Sequence, residues 1–123
     1  MRSVMTRMKP MLNAGSLVLA LSLMGSQALA ADIRTIEVTA EEFAFKPATV
    51  QVDPGETIRL KLVNKGNMSH NLHLREQDKK TDTIQAGKSD TVEVTAPRDG
   101  ELGFFCAIPG HKKAGMKGKI VVQ

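Results

Sequence analysis

The chain of 123 residues carries 17 Lys and Arg against 13 Asp and Glu, with three histidines, one cysteine and no Trp or Tyr. A single cysteine excludes an internal disulfide, so a bound metal is the most obvious additional source of stability for such a small fold. The formal net charge of +4 does not indicate nucleic-acid binding, because three of the cations stand within the first ten residues.

The first thirty residues have the pattern of a secretory signal peptide. Arg2, Arg7 and Lys9 precede an apolar run from about residue 11 to residue 24, and Ala28 and Ala30 end the segment. The run is shorter than the roughly 20 residues that a membrane-spanning helix needs. We therefore predict a cleaved signal peptide over residues 1–30 and export to the periplasm. A single mature domain over residues 31–123 follows, with no membrane insertion and a net charge of +1.

From residue 33 onward, alternating polar and apolar residues predict β-strands. The first three cover residues 33–39, 49–52 and 57–63, with an Asp-Pro-Gly-Glu sequence typical of a type II turn at 53–56. Further strands are expected over residues 70–74, 83–85, 90–95, 102–106 and 117–122, with a charged loop over 75–80. Seven or eight short strands separated by turns rich in Gly, Pro and Asn predict an all-β fold, an antiparallel β-sandwich.

One loop near the end of the chain carries three metal-binding side chains. Cys106, His111 and Met116 follow one another with four residues between each pair, and His70 stands far upstream beside Asn71. One thiolate, two imidazoles and a weakly held thioether form the ligand set of a mononuclear blue-copper centre. We therefore expect one copper ion that alternates between Cu(I) and Cu(II).

The residues around this loop resemble a known family. The sequence Gly-Phe-Phe-Cys-Ala-Ile-Pro-Gly-His at 103–111, followed by Gly-Met-Lys-Gly at 115–118, is similar to the carboxyl-terminal copper loop of the cupredoxins. The resemblance extends to the His-Asn pair at 70–71 and to the early strands around 45–47 and 53–56. It implies a Greek-key β-sandwich with copper bound by His70, Cys106, His111 and, axially, Met116. The loop spacing resembles the auracyanins and rusticyanins more than plastocyanin.

Two other residues have competing interpretations. Met68 is an alternative axial thioether, although packing or exposure is the expectation for it. His73 lies on the opposite strand face from the neighbouring leucines, which favours a position towards solvent over a role as a ligand.

The surroundings of the metal are expected to matter as much as the ligands. The resemblance implies that Asn71 ties the upstream ligand to the cysteine loop by a hydrogen bond. Phe105 and Pro109, with two other apolar residues, are expected to keep water away, which favours the less charged Cu(I) state. Pro109 also stiffens the loop.

Four lysines crowd the same region, at positions 112, 113, 117 and 119. Lys112, Lys113, Lys117 and Lys119 are either a solvated face or a docking surface for a redox partner, such as a cytochrome or an oxidoreductase with an acidic face. Electrostatic steering of this kind speeds encounter and weakens with salt.

The leading hypothesis is a periplasmic one-electron carrier between redox partners. The alternative is a periplasmic protein that binds copper for copper tolerance or delivery. An enzyme is not expected, because the chain lacks the further histidine clusters of multicopper catalysts and the second loop cysteine of a binuclear centre.

Overall fold

The computed structural model describes residues 32–123. The predicted signal peptide therefore lies outside the described residues, and so does its cleavage site. Nine strands and one short 3-10 helix (Arg75–Gln77) make up the described part. The strands are β1 (Thr35–Glu41), β2 (Ala44–Lys46), β3 (Thr49–Val52), β4 (Thr57–Asn64), β5 (His73–Leu74), β6 (Lys79–Lys80), β7 (Ser89–Thr95), β8 (Glu101–Phe105) and β9 (Lys117–Val122).

The strands form two sheets, which confirms the predicted sandwich. One sheet has the order β2-β1-β4-β7 and the other has the order β3-β9-β8-β5-β6. Both sheets are mixed rather than antiparallel throughout, because β1 runs parallel to β4 and β3 runs parallel to β9. Alternation along a strand reports which face is buried, but it carries no information on the direction of the neighbouring strand.

The middle of the chain differs most from the sequence-based expectation. The strand predicted over residues 70–74 is reduced to β5, and His70 joins Ile84 only through an isolated bridge. That bridge replaces the strand expected over residues 83–85. The charged segment 75–80 is not all loop, since it contains the 3-10 helix and the two-residue strand β6. Pairings this short depend on tertiary contacts rather than on local pattern.

The core lies between the two sheets and follows the predicted alternation. In β4 the apolar residues Ile58, Leu60 and Leu62 are fully buried, while Arg59 between them is exposed. Phe104 of β8 packs against Phe45 of β2 with ring centroids 5.3 Å apart. These contacts fix the end of β8, from which the chain enters the loop at residues 106–116.

Three segments meet at one end of the sandwich. They are the β8–β9 loop at residues 106–116, the segment 66–72 that precedes β5, and the two-residue turn between β1 and β2. Among the described residues no helix has the length and hydrophobicity needed to cross a bilayer.

Candidate metal centre

Three predicted ligands converge at this end of the sandwich. The Sγ atom of Cys106 lies 3.5 Å from Nδ1 of His111 and 4.0 Å from Nδ1 of His70. One candidate ligand atom from each of the three residues lies within 4.8 Å of the other two, and all three side chains are buried. Residues 36 positions apart in the sequence are thus neighbours in the fold.

Backbone hydrogen bonds close the cysteine loop on itself. The N–H of Cys106 donates to the carbonyl of Met116 at 3.1 Å, and the N–H of Met116 donates to the carbonyl of His111 at 3.0 Å. The Met116 side chain is fully buried. The three loop residues are therefore held together before any metal binds.

His70 is held by its isolated bridge to Ile84. Its N–H donates to the carbonyl of Ile84 at 3.0 Å, and the N–H of Ile84 donates back at 2.8 Å. The buried Asn64 side chain donates from Nδ2 to the carbonyls of Ile84 and Met68, at 3.0 and 2.8 Å. Asn64 thus fastens the segments before and after His70 to the end of β4.

The donor set fits a copper ion in its chemistry, and the environment of His70 adds to that fit. Burial lowers the pKa of His70, the nearby His111 lowers it further, and the Glu42 carboxylate opposes this by raising it. The net lowering favours a neutral imidazole, which is the form that binds a metal. The His70, Cys106, His111 and Met116 side chains are arranged as a type 1 copper site, with both Nδ1 atoms facing the sulfur.

A protein-family model described as a cupredoxin-like domain matches residues 14–122. The chain belongs to the cupredoxins. Among its curated relatives is the copper-resistant cuproprotein CopI of Rubrivivax gelatinosus, which is 32% identical over 110 residues covering 73% of this chain and 67% of the relative. The chloroplastic plastocyanin of Chlamydomonas reinhardtii is 33% identical over 102 residues, which cover 72% of this chain and 66% of that protein.

A solved structure of auracyanin B has the same fold. It superposes with a TM-score of 0.66 at 24% identity, covering 78% of this chain and 93% of that one. Copper as the cofactor is confirmed, because the site of this cupredoxin has the type 1 arrangement and a relative is named as a cuproprotein.

Asn71 bridges the two halves of the centre. Its Oδ1 accepts a hydrogen bond from the N–H of Ala107 at 2.7 Å, and its Nδ2 donates to Oγ1 of Thr83 at 2.9 Å. The side chain therefore connects the residue after His70 with the residue after Cys106.

Phe105 and Pro109 lie outside the buried centre of this cupredoxin. Pro109 is exposed on the loop, and Phe105 is half-buried with its ring 5.7 Å from the ring of His73. The guanidinium carbon of Arg75 and the ammonium of Lys112 lie 5.0 and 4.5 Å from the centroid of the Phe105 ring. Phe105 is thus positioned for cation–π contact with two side chains.

These residues border a groove beside the cysteine loop, which we call the basic groove. It has a volume of about 770 Å³. Its charged lining comprises Arg75, Asp78, Lys79, Lys80, Lys112, Lys113 and Lys117. His73 also lines the groove and is half-buried rather than turned fully to solvent. Its pKa is lowered mainly by burial and, to a smaller extent, by the charge of Lys80.

The fourth predicted docking lysine is elsewhere. Lys119 does not line the basic groove, and its Nζ lies 3.4 Å from Oε2 of Glu101. Met68, the alternative thioether, is 43% exposed, whereas Met116 is fully buried. Burial therefore favours Met116 over Met68 as the axial donor.

Sequence reasoning missed the turn between β1 and β2. Oε1 of Glu42 lies 3.7 Å from Nε2 of His70. The exposed Phe43 ring meets the His111 ring edge-on, with centroids 5.3 Å apart. Phe43 also has a φ of 63°, a left-handed conformation that is uncommon for an aromatic residue. The only signal in the sequence was an aromatic residue next to an acid between two strand patterns.

Proposed function

We propose that the mature chain is a blue-copper one-electron carrier in which His70, Cys106, His111 and Met116 bind the metal. The observation that carries this is the convergence of two Nδ1 atoms and one Sγ atom within 4.8 Å in a buried site. Three of the four residues sit on one loop whose backbone is closed by hydrogen bonds. A preformed site of this kind suits a carrier, because the ligands need not move between oxidation states.

Copper held by a thiolate, two imidazoles and a thioether supplies one-electron chemistry at little cost in rearrangement. The chain contributes the rest. The buried ligand side chains exclude water, Asn71 holds the two ligand segments together, and the basic groove brings positive charge close to Cys106.

The proposal includes export. Residues 1–30 would act as a signal peptide removed near Ala30, leaving residues 31–123 as a single domain in the periplasm. The similarity to a CopI protein, which is named as a cuproprotein, supports a copper-binding role.

The proposed partner is a redox protein, such as a cytochrome or an oxidoreductase, with an acidic face. Lys112, Lys113 and Lys117 line the basic groove together with three cations that the docking prediction did not include, Arg75, Lys79 and Lys80. Such a concentration of one charge steers an oppositely charged partner and makes association sensitive to salt. The half-buried Phe105 ring gives the groove an apolar wall beside the cysteine.

The second candidate function is copper tolerance or delivery. The similarity to a protein named for copper resistance favours it directly. A handling protein and a carrier can share one fold and one ligand set, so the difference lies in kinetics. Slow electron exchange with rapid transfer of copper to a chelator would favour handling, and the reverse would favour the carrier.

The first test is the visible spectrum of residues 31–123 with one equivalent of Cu(II). We expect an intense charge-transfer band near ~600 nm that ascorbate bleaches and that is lost in Cys106→Ser. His73→Ala is the matched control, because His73 lies close to the centre but outside the ligand set, and it should keep the band. A colourless complex of the wild-type chain would contradict the blue-copper assignment.

A further inference from the structure

The two residues of the turn between β1 and β2 each contact a different histidine of the candidate centre. Glu42 places Oε1 3.7 Å from Nε2 of His70. Phe43 lies edge-on to the ring of His111. Neither residue belongs to the proposed ligand set, and both contact the centre through its imidazoles.

The Nε2 atom of His70 has an unusual environment. The imidazole is fully buried, and among residues 32–123 Nε2 is the one buried side-chain nitrogen or oxygen without a hydrogen-bond partner. A buried polar atom without a partner costs roughly 1–3 kcal/mol, so such an atom requires an explanation. The separation from Glu42 is longer than a hydrogen bond, and the interaction is therefore electrostatic.

The carboxylate of Glu42 is itself fixed in place. Its Oε1 accepts hydrogen bonds from the N–H groups of Asn67 and Met68, at 2.5 and 2.8 Å. Two N–H donors directed at one oxygen fix the carboxylate and stabilise its ionised form. Gly66 lies directly beneath it, since a Cβ at that position would stand 2.5 Å from Oε1.

We propose that Glu42 is a positioning residue for the metal centre: its anchored carboxylate holds the proton of the neutral His70 ring on Nε2 and leaves the Nδ1 lone pair free to face Cys106. A neutral imidazole has one N–H and one lone pair. An ionised carboxylate attracts an N–H and repels a lone pair, so the tautomer with the proton on Nε2 is the favoured one. The inference rests on the proposed role of His70 as a ligand.

Its consequence is a site prepared for metal before metal arrives. Carboxylates placed behind a metal-binding histidine commonly set its tautomer and orientation, and removing them weakens metal binding by about 10–100-fold. Here the anchor for the carboxylate, the segment 66–68, leads directly into His70. One carboxylate therefore ties the β1–β2 turn, this segment and the ligand together.

Two variants separate the charge of Glu42 from its position. Glu42→Gln removes the charge but keeps an amide oxygen that can accept from Asn67 and Met68. Gly66→Ala keeps the charge but displaces the carboxylate, and Gly66 does not have a positive φ that would strain an alanine. The matched control is Glu41→Gln, which removes the same charge one residue earlier from a carboxylate 2.9 Å from Lys46 Nζ.

The readout is the tautomer of His70 in the metal-free protein, from long-range proton–nitrogen NMR correlations at a pH of about 8, above the ordinary imidazole pKa of about 6.5. Wild type and Glu41→Gln should carry the proton on Nε2, whereas Glu42→Gln and Gly66→Ala should show a mixture of tautomers. Cu(II) titration should then show about tenfold or greater weakening in the latter two variants alone.

A proton on Nδ1 in the wild type would overturn the proposal. So would the wild-type tautomer in either Glu42→Gln or Gly66→Ala, or an equal effect of Glu41→Gln. The NMR measurement is made on the metal-free protein. Its result therefore remains valid even if the copper-loaded protein proves colourless and the blue-copper assignment fails.

Discussion

The Asn71 side chain accepts a hydrogen bond from the backbone N–H of Ala107 at 2.7 Å, which links the residue after one candidate ligand to the residue after another. A short polar side chain thus joins two loops that belong to different parts of the sequence. The same side chain donates to Thr83. The relative position of His70 and Cys106 depends on this bridge.

Asn71→Ala should therefore weaken the connection between the two segments that carry His70 and Cys106. We expect the free energy of unfolding of the metal-free protein to fall by about 0.5–1.5 kcal/mol, the usual net value of a hydrogen bond. Cu(II) affinity should fall with it. Urea denaturation and a chelator competition measure the two effects. Thr83→Val, which removes only the partner of Nδ2, is the control and should retain most of the affinity. Equal losses of affinity in both variants would contradict the bridging role.

The axial position can be assigned by changing each of two methionines. Met116→Leu removes a buried thioether, and the loss of an electron donor should raise the reduction potential because the donor stabilises Cu(II) more than Cu(I). Met68→Leu alters an exposed side chain and should leave the potential unchanged. Voltammetry of both variants measures the reduction potential. A shift of the potential in Met68→Leu alone would assign the axial position to Met68 instead.

The basic groove should govern reactions with anions. Ferricyanide, a small trianion, is a suitable probe of oxidation of the Cu(I) protein. The double variant Lys112→Glu/Lys117→Glu should slow this reaction by about tenfold or more at low ionic strength, with the difference shrinking as salt is added. Lys119→Glu makes the same kind of charge change outside the groove and should have a smaller effect per charge. An equal effect per charge would show that only net charge matters.

Close packing at β9 gives a stability prediction. A Cβ on Gly118 would collide with the ring of Phe104 and with the carbonyl oxygen of Ala48, which is backbone and cannot rotate away. Gly118→Ala should therefore reduce the free energy of unfolding by about 1–3 kcal/mol, as overpacked core positions do. Gly103→Ala is the control on the paired strand, because a Cβ there meets only Glu76 Oε1 at 4.0 Å. Urea denaturation should show that Gly103→Ala changes the free energy of unfolding by less than about 1 kcal/mol.

An ion pair at the opposite end of the sandwich predicts that the free energy of unfolding depends on pH. The Arg34 guanidinium donates to Oε1 of Glu56 at 2.6 Å, and the N–H of Asp53 donates to Oε2 at 2.8 Å. The Arg34 contact first, and the Asp53 contact second, lower the pKa of Glu56 in the folded chain. Its stabilisation is therefore present above the pKa of the unfolded chain and is lost as the pH falls through the lower folded value.

Glu56→Gln should accordingly be less stable than wild type near neutral pH, with the difference vanishing in acid. Urea denaturation over a pH series measures this. Glu37→Gln, which removes an exposed charge from β1, is the control. A constant difference between Glu56→Gln and wild type down to acid pH would contradict the assignment.

The sequence predicted the parts of the centre that local order encodes. The regular spacing of Cys106, His111 and Met116 identified one loop, and His70 was the remaining histidine placed beside an amide. Glu42 and Phe43 were not predicted, because their contacts depend on where a hairpin turn lies relative to a distant loop. No periodicity records that distance.

The prediction of the docking lysines shows the same limit. Lys119 was grouped with the loop lysines because it is close in sequence, yet strand β9 carries it away from the basic groove. Arg75 and Lys80 looked like part of a solvated loop, and the fold brings them beside Phe105 and the cysteine loop. Strand direction was hidden for a related reason, since two parallel pairs arise only from the path of the chain between the sheets.

The hydrogen bonds that close the β8–β9 loop run entirely between backbone atoms, and the side chains of Lys112 and Lys113 point outward from it. The lysines of the proposed docking surface are thus interleaved along the loop with the proposed ligands, and their charged side chains take no part in the backbone bonds that close it. A substitution at Lys112 or Lys113 therefore changes the charge of this surface without removing any of these bonds.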